Sequence, residues 1–246
     1  MNRDGSLGSF IDSRNKQGLD IASKFISDLA NLGIKAIVAG GFARDYYLGK
    51  HFKDIDIYVE STKGNPAVYN ILTDKGVDGS VFYPKGARFY KGLNNLLEVY
   101  ESYRHKHNIV IQIMEVDTND IQKYVFEQFD LSICQILFDG NKIIPSDSFL
   151  KTIETNQITL NETLTDEQLK YAFKKHIFKV LDKYPKYTLK IDHLGNSDID
   201  QLAPFRKQYY NIFPNTKIYQ MTKKGSIFLK DSILVKKEPE IIAFPF

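Results

Sequence analysis

Apolar residues at Leu19, Ala22, Phe25, Ile26 and Leu29 recur at helical spacing, which predicts a packing helix over 15–32 stopped by Gly33. Residues 1–14 lack that spacing and read as a frayed start. The period then changes. Ile34 to Ala39 is a β-branched run ending in Gly40 and Gly41, followed by a helix-compatible stretch, Phe42 to Leu48, that Gly49 stops. Asp54 to Val59 alternates strictly, placing Ile55, Ile57 and Val59 on one face of a strand and Asp54, Asp56 and Tyr58 on the other. Asn65 before Pro66 opens a helix that reaches about Lys75 and ends at Gly76. Asn108 to Val116 predicts a central strand, and Asn119 opens a short amphipathic helix through Phe126. Thr165 and Gln168 form a capping box, with Leu164 placed to staple Leu169, at the head of a helix over 166–184. That helix buries Leu169, Phe173, Ile177, Val180 and Leu181, and Pro185 ends it. Residues 198–212 read as helix, 216–237 mix helix and strand signals, and a Pro-containing tail runs from Glu238 to Phe246. No repeat or low-complexity linker interrupts the chain, and a boundary near Asn161 divides it best.

The stretch from Ile37 to Val59 organises the rest. Two carboxylates two apart on a strand point the same way, and their repulsion is relieved by a cation between them; hard oxygen ligands favour Mg²⁺. Two glycines at a strand-to-helix turn leave backbone N–H groups open to an anion. A phosphate cradle beside a dicarboxylate is what phosphoryl or nucleotidyl transfer requires.

Composition adds limits. A content of 43% hydrophobic and 26% charged residues is that of an ordinary globular protein able to bury a core. No apolar run approaches the roughly 18 residues of a membrane span, and the N-terminus has no signal-peptide core. The single cysteine, Cys134, excludes an intrachain disulfide framework, fits a reducing cytoplasm and is expected to face the core as a small hydrophobe. The net charge of +3 matters less than its distribution. Between Gln168 and Lys190 stand seven lysines, among them Lys174, Lys175 and Lys179, against one acid, Asp182. That helix is a candidate to track phosphates, or else a solvated face. Arg88 sits among Tyr83, Phe89 and Tyr90, cations and aromatics interleaved as single-stranded nucleic acid binding uses them, or as a hairpin with a basic face. His176 reads as a helix-surface residue.

The sequence Gly40-Gly41-Phe42-Ala43-Arg44-Asp45, then Leu48-Gly49, then Asp54-Ile55-Asp56-Ile57 resembles, at every spacing, the GGxxRDxxLGxxxxDxD signature of the tRNA nucleotidyltransferase and poly(A) polymerase head domain. That family belongs to the polymerase-β-like nucleotidyltransferases. The resemblance covers about 31–157 and implies an α+β fold: a mixed nucleotidyltransferase sheet with flanking helices in a head over 1–160. A smaller, mainly helical, lysine-rich region is expected over 161–246.

By the resemblance, Asp54 and Asp56 hold Mg²⁺ or Mn²⁺, while Gly40, Gly41, Arg44 and Asp45 belong to the nucleotide site. Arg44 is suited either to a phosphate or to a carboxylate that locks the loop. Phe129 to Phe138 resembles the family's RDFTINAL strand, followed by a turn at Asp139-Gly140 and a helix over 149–155. Asp130 then matches the aspartate that positions the nucleotide and is a further catalytic candidate, while Phe129 replaces an arginine. The superfamily's third carboxylate is missing: Gln112 stands where it is expected, with Glu115 on the opposite face and Asp117 at the strand end. The implied reaction moves a nucleoside monophosphate from an NTP, ATP or CTP, to an acceptor hydroxyl, first of all an RNA 3′ end such as that of tRNA. The family's long helical neck, body and tail have no counterpart after Asn161, which points to a reduced enzyme, from a virus or mobile element, whose acceptor differs. Two alternatives stand beside it: a toxin-like or antibiotic-modifying transferase acting on protein, tRNA or a small molecule, and a catalytically silent nucleotide or RNA binder.

Overall fold

The computed structural model describes residues 5–60, 71, 80–83, 95–104, 109–161, 163–165, 168, 171–172, 176–191, 218–221, 227–230 and 242–243. The chain divides into two compact units, one of residues 1–129 and 134–146, the other of 130–133 and 147–246.

The first unit opens with helix α1, Gly5–Ala30. It begins ten residues before the predicted start at residue 15, because a helix once nucleated propagates at little cost. Ala22, Phe25, Ile26 and Leu29 are buried as their spacing predicts. The helix ends in a reversal at Gly33, φ +73°, whose N–H bonds the Ala30 carbonyl while that of Ile34 reaches Leu29. Strand β1, Ala36–Ala39, leads through Gly40 into α2, Gly41–Tyr47, and β2 follows as Asp54–Glu60. Strands β3 (Ser80–Tyr83), β4 (Leu96–Arg104) and β5 (Ile109–Val116) come next. Helix α3, Ile121–Gln128, is capped by Asp120, whose side chain accepts from the Lys123 N–H. Strands β6 (Ile136–Phe138) and β7 (Ile143–Pro145) form a hairpin. Its turn holds Asp139 Oδ1 against the N–H groups of Asn141 and Lys142, with Gly140 at φ +98°.

These seven strands form one sheet, in the order β3-β4-β5-β2-β1-β6-β7. Strand β2 runs parallel to β5 and antiparallel to β1, so the sheet is mixed. The alternation of β2 divides its side chains as predicted. Ile55, Ile57 and Val59 enter a core with α1, Phe42 and Phe52, while Tyr58 enters a second core with Ile121, Tyr124, Val125 and Phe129. Asp54 and Asp56 share the face of Tyr58 and stay partly exposed.

The second unit carries α4 (Asp147–Thr155), β8 (Gln157–Thr159), α5 (Ile177–Lys183), β9 (Thr188–Ile191), β10 (Ile218–Met221), β11 (Ile227–Lys230) and β12 (Ile242–Ala243). Its strands make a five-stranded sheet, β12-β10-β11-β9-β8. Among the described residues of 161–246, four of these strands accompany α5, where the sequence predicts a mainly helical region. Its strands are two to four residues long and too short to show a period, so the sheet arises from pairing across the chain. The single strand expected over 129–138 is also broken. Leu131 makes an isolated bridge to Leu160, and Ser132–Cys134 forms a 3₁₀ turn before β6 begins. The capping box is present: Gln168 Oε1 accepts from the Thr165 N–H at 2.9 Å, and Thr165 Oγ1 accepts from the Gln168 N–H at 3.3 Å. The helix expected over 65–75, apart from Ile71, the helix over 198–212, and most of the tail lie outside the described residues.

Candidate functional site

Strand β1 delivers the chain to its turn beside the carboxylates. Ala39 is the register partner of Asp56, so Gly40 leaves the sheet at that level. Gly40 adopts φ +73°, ψ −127°, a conformation open in practice only to glycine. A Cβ placed on Gly40 would lie 3.3 Å from the Phe129 ring and 3.9 Å from Asp56 Oδ2. The turn is thus wedged between an aromatic wall and a carboxylate. Phe129 is buried, tilts against Tyr58 with ring centroids 5.5 Å apart, and accepts at its carbonyl a hydrogen bond from Gln135 Nε2. Where the resemblance has an arginine, this chain has a packing residue.

Beneath the turn sits Arg44, 8% exposed. Its Nε donates to Asp45 Oδ1 at 2.9 Å, Nη2 lies 2.9 Å from the same oxygen, and Nη1 donates to Cys134 Sγ at 3.2 Å. Of the two roles open to Arg44, the carboxylate pairing is the one observed, and Asp45, 2% exposed, is its partner. Cys134 packs in part on the second core as expected, but its sulfur also serves as an acceptor, which a small-hydrophobe reading misses.

Asp54 lies at the start of β2, with Lys53 Nζ 3.3 Å from its Oδ2, an exposed ion pair worth little. Across the sheet, Gln112 is the register partner of Asp56, so an amide occupies the neighbouring strand position where a third carboxylate is expected. Glu115 pairs in register with Val59 on the other face and is 1% exposed. That face also holds Glu98, which accepts from the hydroxyl of Tyr100; burial first and Glu98 second push the Tyr100 phenol well above its ordinary range.

Asp130 belongs to the second unit. Its Oδ2 lies 2.7 Å from His176 Nδ1, its carbonyl accepts from the Asn161 N–H, and burial together with its charge raises the Tyr171 phenol. His176, half-exposed at the start of α5 and edge-on to the Tyr171 ring at 5.1 Å, is a partner that spacing alone gives no means of finding, 46 residues away. Lys179 is exposed on α5, whose Ile177, Val180 and Leu181 are buried. Lys174, Lys175 and Arg88 lie outside the described residues. The structure therefore brings together Gly40, Gly41, Arg44, Asp45 and Asp56 in the first unit, with Asp54 two residues along the same strand face.

The model of the Gabija anti-defense 2 family matches residues 13–156, more than half of the chain. The chain belongs to the Gabija anti-defense 2 family. Its family is therefore a different one from the tRNA nucleotidyltransferase and poly(A) polymerase family whose signature it resembles. No match was found among curated proteins. Among solved structures, this anti-defense family member is similar to a CCA-adding enzyme in complex with ATP, at 16% identity and TM-score 0.51, covering 88% of this chain and 58% of that one. A CCA-adding enzyme in apo form I matches at 15% identity and TM-score 0.46, covering 80% and 44%. The Bacillus stearothermophilus CCA-adding enzyme in complex with CTP matches at 16% and 0.44, covering 59% and 34%. The chain spans between about a third and three-fifths of the length of these enzymes. The likeness to the ATP complex shows that the family member has the nucleotidyltransferase fold: a mixed sheet with flanking helices. Among the described residues no helix is long and apolar enough to cross a membrane.

Proposed function

We propose that this chain is a metal-dependent nucleotidyltransferase that moves a nucleoside monophosphate from ATP or CTP to an acceptor hydroxyl and releases pyrophosphate. The observation that carries the reading is the level of Gly40: Ala39 pairs with Asp56, and the glycine turn leaves the sheet against that carboxylate.

Asp54 and Asp56 are hard oxygen donors, partly exposed on one strand face, and Mg²⁺ is usually held by one or two carboxylates plus substrate phosphates. The pair fits that ion, although among the described residues no three His, Cys, Asp or Glu side chains cluster into a metal cage. When bound, Mg²⁺ supplies charge neutralisation at the triphosphate and a more acidic acceptor hydroxyl. The turn at Gly40 and Gly41 offers N–H groups to phosphate oxygens, and the Arg44–Asp45 pair holds that turn in shape. The resemblance adds Asp130 to the residues that handle the nucleotide.

Two acceptors are in view. The resemblance supports an RNA 3′ end, with Lys179, Lys174, Lys175 and Arg88 as phosphate contacts. The family description favours a second, a hydroxyl on a component of the Gabija defence, which this chain would modify. Incubating the protein with Mg²⁺ and each α-labelled NTP, first with total RNA and then with purified Gabija proteins, separates them. Label entering RNA supports the first, and label entering a Gabija protein the second. NTP binding without transfer to either moves the chain to the silent binder.

A further inference from the structure

The Arg44 guanidinium lies against the glycine turn, with Nη2 3.9 Å from where a Cβ on Gly41 would sit. Asp45 holds it along one edge through Nε and Nη2, both on the same oxygen, Oδ1. That contact holds one edge of the group. The second fixed point is Cys134 Sγ at 3.2 Å from Nη1, supplied from 90 residues later in the chain by the 3₁₀ turn Ser132–Cys134. Gly40, Gly41, Arg44, Asp45 and Cys134 itself lie within the first unit. A buried guanidinium keeps its charge without penalty only when it is both paired and hydrogen-bonded, and here the pairing and part of the bonding come from different elements.

We propose that Cys134 is a positioning residue of the nucleotide site: its sulfur sets the tilt of Arg44, and Arg44 holds the Gly40–Gly41 turn in the shape that receives the triphosphate. The proposal rests on the nucleotide site argued above. It asks of position 134 an acceptor of the right reach, not a thiol as such. Asparagine keeps an acceptor in its Oδ1, and alanine has none.

The test titrates Mg·ATP and Mg·CTP against the full chain, as wild type, Cys134→Ala, Cys134→Asn, Arg44→Lys and the Arg44→Lys/Cys134→Ala pair, with a melting curve for each. Cys134→Ala is expected to weaken NTP binding about three- to tenfold, the scale of one ordinary intramolecular hydrogen bond, as suits a weak sulfur acceptor. Cys134→Asn is expected to restore it to within about twofold. The double variant is expected to bind no more weakly than Arg44→Lys alone, since coupled residues do not add. If Cys134→Ala fails to fold, Cys134→Val, close in volume and lacking an acceptor, carries the same expectation. Wild-type affinity in the Ala or Val variant, failure of Asn to restore binding, or full additivity in the pair overturns the role of Cys134 alone. A wild-type protein that binds neither nucleotide overturns the nucleotide site itself.

Discussion

Gly40 and Gly49 both carry a positive φ, but they differ in what surrounds them. A Cβ on Gly49 meets nothing within 4 Å, so Gly49→Ala costs only the backbone strain, about 1 kcal/mol. Gly40→Ala adds contact with Phe129 to a conformation outside the left-handed basin, about 1–3 kcal/mol, and moves the turn that faces Asp56. Denaturant melts and NTP titration of both variants are expected to show lost affinity in Gly40→Ala alone. Residue-scale features like these were legible where they are local. The Asp54/Asp56 face follows from a period of two, and the glycines from the need for a turn. Gln112 beside Asp56 was also legible, because both strands alternate and the resemblance supplied the pairing. The Arg44–Cys134 and Asp130–His176 contacts were not, since each joins positions that only the folded chain brings together.

At the scale of elements, α1 meets the first core through Gly18, where an added Cβ would sit 2.5 Å from Phe52 Cζ and 2.7 Å from Phe42 Cε2. Alanine for glycine within a helix ordinarily gains about 1 kcal/mol. Here the two fully buried rings cannot yield, and overpacking of about 1–3 kcal/mol reverses the sign. Urea unfolding of Gly18→Ala is expected to show a lower midpoint than wild type; a higher one would mean the rings move aside. In the second unit, Ser132 Oγ lies 2.6 Å from Thr152 Oγ1 and accepts from the Thr159 N–H at 2.9 Å, tying the 3₁₀ turn to α4 and β8. Ser132→Ala leaves that N–H without its acceptor, while Thr152 keeps its bond to the Ser148 carbonyl. A loss of about 1–3 kcal/mol in the same measurement is expected. In the first unit α1, β2 and β5 were readable because each is long enough to display its period, whereas β6 and β7 are three residues each. The sheet of the second unit was not, for its strands are short and the capping box before α5 drew the reading towards helix.

For the whole molecule, membership of the Gabija anti-defense 2 family and a nucleotidyltransferase fold together set the question that the sequence signature raised. The fold was legible because its glycine turn and dicarboxylate strand keep the spacing of a shared signature. The setting was not, because no acceptor leaves a pattern in a glycine turn or a strand. Under the proposed function, Asp54 and Asp56 form the metal end of an NTP site. The most direct measurement is Mn²⁺ binding by electron paramagnetic resonance, with and without ATP or CTP, in wild type and in Asp54→Ala/Asp56→Ala. NTP-dependent Mn²⁺ binding by the wild type that disappears in the double variant, at an unchanged melting temperature, is the predicted result. Binding retained by the double variant would contradict the assignment.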